Sequence, residues 1–195
     1  EPDSPEARWI VKDYEDNRYI SEQYGYPLEG AEFDRWWFSR GGISQQANLL
    51  CSPLPYLYRD QPEHFLRAYF NAFAASYFPD TRMMTEHALP NIGDWRGDHY
   101  KSSDEANSTY WLRLMFLWER GDELFVGAAL PRYWLSNGQN IGIRRASTYF
   151  GRVSVTYDSR AAHGQIVATL EGDFRNPPSA IRVRFRHPDG RRMVR

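Results

Sequence analysis

A chain of 195 residues is long enough for one domain with a proper core, or for two smaller parts that lean on each other. Its 24 Lys and Arg nearly balance 25 Asp and Glu, so there is no global field to draw in nucleic acid or an anionic membrane, and no nucleic-acid partner is expected. The single cysteine, Cys51, excludes an intrachain disulfide and a cysteine-based zinc site, and no apolar run reaches the roughly 18 residues of a membrane span.

From Ser4 to about Ser21 the pattern SPEARWIVKDYEDNRYIS predicts a helix with Ser4 as N-cap and Pro5 at its first position. Gly25, Pro27 and Gly30 then mark a connection, and a second helix is expected from about Ala31 to Arg40, ended by Gly41 and Gly42. Pro53 and Pro55 restrict the next stretch to a short helical or irregular piece. After Asp60, with Pro62 at the start, QPEHFLRAYFNAFAASYF predicts a strong helix closed by Pro79. Projected at about 100° per residue, its aromatic and aliphatic members cover most of the circumference, so it is expected to be covered nearly all round.

Asp80 to Ser103 follows as a long polar loop. Loops beyond about 12–15 residues without their own secondary structure are uncommon in compact domains and are often functional. This one gathers Glu86, His87, Asp94, Asp98 and His99 with Trp95 and Tyr100. Beyond it, Ser102 and Glu105 stand at capping-box spacing before a helix over DEANSTYWLRLMFLWER, with Gly121 as its C-terminal glycine.

From Glu123 the period changes from helical to alternating. ELFVGAAL and PRYWL read as strands, Asn137-Gly138 as a hairpin turn, and QNIGIRRA, TYFGRVSVTY, QIVATLEG and AIRVRFR as further strands of an antiparallel sheet or small sandwich. Alternation places Arg182, Arg184 and Arg186 on one face of the last of these, which reads as a solvated face. The chain opens on Glu1 rather than Met and stops soon after a His-Pro-Asp-Gly turn, so it is expected to be cut at both ends. The fold class is therefore α+β, with a helical region over 1–121 and an antiparallel β domain over 122–195.

No GxSxG, P-loop, GxGxxG or HExxH pattern is present, so a serine hydrolase, an NTPase, a dinucleotide enzyme and a metalloprotease are not expected, nor is a cofactor or metal. Aromatics are 16% of the chain, with seven Trp and thirteen Tyr, and such rings serve either as packing or as stacking surfaces for sugar rings. Trp36 and Trp37 are adjacent on a helix and point about 100° apart, so at most one of them faces a ligand. Gln45 after the glycine pair is a candidate hydroxyl ligand.

The segments FDRWWFSRGG (33–42), HFLRAYFNAFAASYFPD (64–80) and YWLRLMFLWERGDELFVGAALPRYWL (110–135) together resemble the end of the six-hairpin glycosidases, in which an (α/α)6 toroid precedes a β-sandwich. The likeness is to the C-terminal part of large bacterial proteins of that group. It implies glycoside hydrolysis by two carboxylates, or at least binding of an oligosaccharide or polysaccharide, in a secreted or periplasmic protein. Partners would then be the saccharide and the preceding helical domain of the same parent chain. In such toroids the site is built from loops between helices, which points to Glu86, Asp94 and Asp98 as catalytic acids and to Trp36, Gln45, His87, Trp95, His99 and Tyr100 as substrate-binding residues. An inverting pair needs carboxyls about 6.5–9.5 Å apart. A fragment holding one wall of that site is expected to be inactive alone. The alternatives are a non-catalytic glycan-binding or domain-docking module, and a structural interaction domain.

Overall fold

The computed structural model describes residues 1–9, 52–78, 81–84 and 102–192. The chain divides into two compact units, Glu1–Trp111 and Leu112–Arg195. It is a mixed α+β protein in which helices precede two three-stranded sheets.

In the first unit residues 5–9 are helical, and the Ala7 amide donates to Ser4 Oγ at 3.2 Å, the N-cap that Ser4 and Pro5 predict. Helix α1 (Leu54–Tyr58) is the short helical piece expected here, with Pro53 as N-cap and Pro55 in its first turn. Helix α2 (Pro62–Ser76) begins at Pro62 and buries Phe65, Ala68, Tyr69, Ala72 and Ser76. Among its described residues these form a single stripe at helical spacing, while Phe70 on another side is 41% exposed. Its final turn passes into β1 (Tyr77–Phe78), paired antiparallel with β2 (Met83–Met84).

Helix α3 (Ser102–Phe116) starts at Ser102 itself, and Glu105 turns to accept from the Met84 amide at 3.4 Å instead of completing a capping box. Ser108 of α3 hydrogen-bonds Tyr69 of α2; burial nonetheless holds the Tyr69 phenol above its usual range. The helix stops four residues before the predicted end. Leu117–Arg120 is strand β3, paired antiparallel with β4 (Glu123–Val126) from Leu117↔Val126 to Arg120↔Glu123. Gly121, at φ +62°, serves the turn of that hairpin rather than a helix end. Pairing wins because Leu117, Trp118, Leu124 and Val126 are all buried in the sheet.

The second sheet unit contains β5 (Asn140–Thr148), β6 (Gly151–Arg160) and β7 (Gln165–Phe174), antiparallel throughout. Along β6 alternate residues Val153, Val155, Tyr157 and Ser159 are buried, the period of two expected of a half-buried strand. Strand β8 (Ala180–Val183) departs from the all-antiparallel expectation, since it lies parallel to β4, giving the order β3-β4-β8.

The parallel pairing explains the arginine row. Arg182 forms a two-point ion pair with Glu123, Nε to Oε2 at 2.8 Å and Nη2 to Oε1 at 2.5 Å, and its guanidinium lies 6.0 Å from the Phe125 ring centre. That hydrogen bond holds Glu123 below the usual carboxylate range and Arg182 above its own. Beyond β8, Arg184 donates to Ala128 O at 3.3 Å and Arg186, only 5% exposed, to Leu130 O at 3.2 Å. Arg184 and Arg186 fasten the last segment to the carbonyls of Ala128 and Leu130, so the expected solvated face holds only for Arg182, which stays exposed. Tyr157 adds a cross-link from β6, donating to Arg184 O at 3.2 Å, with its ring edge-on to Phe185.

Candidate functional site

Pro131 enters the sequence PRYWL with φ −57° and ψ 135°, and Arg132–Leu135 form one turn of 3-10 helix, not the predicted strand. Proline fixes φ and supplies no amide to a ladder, which favours a turn start over strand continuation. Three contacts hold the turn. Leu135 is fully buried, Ser159 Oγ donates to Leu135 O at 2.6 Å, and Arg132 Nη1 donates to His187 O at 2.9 Å. Next to it, Gly138 at φ +81° donates to Ser159 O at 2.8 Å while Ser159 donates back to Gln139 O at 2.9 Å. The Asn137-Gly138 turn therefore joins the 3-10 turn to β5, docked on β6.

With Leu135 pulled inward, Tyr133 points away and is 77% exposed. Trp134, half-buried, stacks on Phe116 with ring centres 6.0 Å apart and planes 26° apart. Together with Leu112, Gln139, Ile141 and Gly142 they line a groove of about 490 Å³ within the β unit. At Gly142 the two strands approach closely, since a Cβ there would run into the Val155 carbonyl and Thr156 of the neighbouring strand. The groove offers aromatic surface, aliphatic walls and the Gln139 amide.

A bidentate clasp holds α3 to β3 nearby. Arg113 donates to both Glu119 oxygens, at 2.9 and 2.6 Å, and also to Leu117 O and to Ser147 O. It fixes where the helix gives way to strand, one turn from Phe116. Chemically the groove can stack and hydrogen-bond a neutral ligand. Among the described residues that line it there is no carboxylate or imidazole. Among the described residues no three His, Cys, Asp or Glu side chains gather as metal ligands do, and no helix is long and apolar enough to cross a membrane.

The residues singled out from sequence, Trp36, Gln45, Glu86, His87, Asp94, Trp95, Asp98, His99 and Tyr100, lie outside the described residues, as does Cys51. The groove residues were hidden because YWL between a proline and a hairpin signal reads as strand. The available signal was two adjacent aromatics between Pro131 and Asn137-Gly138, a span too short for a paired strand with turns on both sides.

Comparison with models of protein families, with curated proteins and with solved structures finds no match.

Proposed function

We propose that this chain is the C-terminal part of a carbohydrate-active protein, and that the groove at Tyr133 and Trp134 binds saccharide. In this reading the helices that precede Leu117 belong to the last helical hairpins of an (α/α)6-like toroid, and the strands from Leu117 onward form the accompanying β domain, antiparallel except for the β4–β8 pair. The observation that carries the saccharide reading is the 77% exposed Tyr133 beside a stacked Trp134 and the Gln139 amide in one groove. Stacking of a ring face on a sugar, with an amide reaching its hydroxyls, is the chemistry these groups provide. Hydrolysis is assigned to the parent protein, with one of Glu86, Asp94 and Asp98 as acid or base and its partner carboxylate on the preceding part of the toroid; the chain by itself binds and does not turn over.

Affinity electrophoresis through gels containing soluble xylan, β-glucan, mannan or chitosan tests the binding. The wild-type chain is expected to be retarded by at least one polymer, and Tyr133→Ala to run as in a blank gel. No retardation by any of the four, for a folded sample, refutes the reading. In the full-length parent, either Glu86→Gln or Asp94→Asn is expected to abolish hydrolysis without affecting retardation; unchanged turnover in both removes the catalytic assignment and leaves a binding module.

A further inference from the structure

The two outer strands of the β5-β6-β7 sheet are built differently. Among the described residues no further strand pairs with the far side of either. On β5 the register breaks between Ile143 and Ala146, where Arg144 and Arg145 are both exposed and Arg145 sits at φ +51°. A bulge and charge at an edge are the usual protections against unwanted pairing. Strand β7 has no bulge, and its only charges, Glu171 and Asp173, stand near its C-terminal end. Its ten residues, QIVATLEGDF, pair with β6 without a break from Gly151↔Phe174 to Arg160↔Gln165 and contain no proline, lysine or arginine.

The side chains of β7 also leave the core unfinished. Ile166, Ala168 and Leu170 stand opposite Ser159, Tyr157 and Val155, all buried, yet are themselves only half-buried. Val167, Thr169 and Glu171 are exposed on the other face. A strand added beyond β7 must therefore bring apolar residues to one face and polar residues to the other, the pattern that β7 itself carries.

We propose that β7 is a self-association strand, through which two copies of this chain join antiparallel into a continuous six-stranded sheet. A two-fold axis normal to the sheet at Ala168 keeps the apolar row of both copies on one face. It sets Ile166 opposite Leu170 of the second copy, Val167 opposite Thr169, and Gln165 opposite Glu171. Charge selects this arrangement. Parallel in-register pairing would stack Glu171 on Glu171 and Asp173 on Asp173, whereas the antiparallel register sends Asp173 toward the turn that bears the exposed His163.

Sedimentation velocity over a concentration series tests this, with wild type and a Val167→Lys/Thr169→Lys variant whose changes lie on the exposed face. Wild type is expected to dimerise reversibly, and the lysine variant to dimerise roughly tenfold more weakly or not at all. In a Cys51→Ser background, Ala168→Cys is expected to cross-link on mild oxidation, because residue 168 meets its own copy, while Thr156→Cys on the middle strand is not. A monomer at high micromolar concentration overturns the proposal, as does a dimer insensitive to the lysines. If the lysine variant does not fold, the Ala168→Cys result decides, and failure to cross-link within a dimer counts against this register.

Discussion

Replacing Gly127 by alanine tests the packing of β4 against the final segment. Gly127 has φ +72°, and a Cβ there would collide with the Tyr157 hydroxyl and come within 2.8 Å of the Arg184 carbonyl. Gly121 provides the control, because it has a similar φ of +62° and nothing within 4 Å of an added Cβ. The backbone penalty of a left-handed alanine, about 1 kcal/mol, is common to both. The collision should add roughly 1–3 kcal/mol at Gly127 alone, as overpacking of a filled core does. Urea unfolding followed by circular dichroism measures both variants. A Tyr157→Phe background sharpens the result: without the hydroxyl the Gly127→Ala change should cost less, a coupling expected only of residues in contact. If Gly127→Ala costs no more than Gly121→Ala, the close approach of Gly127, Tyr157 and Arg184 is wrong.

Other perturbations address the clasp and the titrating groups. Arg113→Ala strands the nearly buried Glu119 carboxylate and should destabilise the chain by about 3 kcal/mol in the same urea assay, with Glu119→Gln/Arg113→Met recovering part of the loss. Glu123 titrates below the usual carboxylate range when folded, so its ion pair contributes stability above that range and loses it as pH falls through the lowered value. Glu123→Gln should thus flatten the acid side of a stability–pH curve, by an amount that shrinks with added salt because the pair is solvent-exposed. Burial raises the Tyr157 phenol well above the ordinary tyrosine value, so its contribution is full below pH about 10 and is lost as pH rises beyond that. Tyr157→Phe should remove that alkaline loss, measured as the melting temperature against pH.

Much of the architecture was legible in the chain. Pro62 marked the start of α2, Ser4 and Pro5 marked an N-cap, and the period of two along Val153, Val155 and Tyr157 marked a strand with one buried face. What escaped was decided by partners far away in sequence. Leu117-Trp118-Glu119-Arg120 contains good helix formers, and only its pairing with Glu123–Val126 makes it a strand. The glycine at 121 signalled a left-handed turn in either case, so it could not say which element preceded it. Likewise Arg184 and Arg186 look solvent-bound when the alternation is read alone. Their carbonyl acceptors, Ala128 and Leu130, lie 56 residues earlier, beyond β8's parallel pairing with β4. Of the candidate site, Tyr133 and Trp134 were visible as aromatics but not as a groove, because the turn that exposes them depends on Ser159 and His187.

The central claim, saccharide in the groove, is tested most directly by titrating isotope-labelled chain with xylo-, cello-, manno- and chito-oligosaccharides while following amide and indole resonances. The account predicts that at least one of them moves the Trp134 indole, the Gln139 side-chain amide and the backbone around Tyr133 together, saturably, with the β7 resonances left unmoved. Saturable shifts confined to residues away from the groove, or none with any of the four, would contradict it.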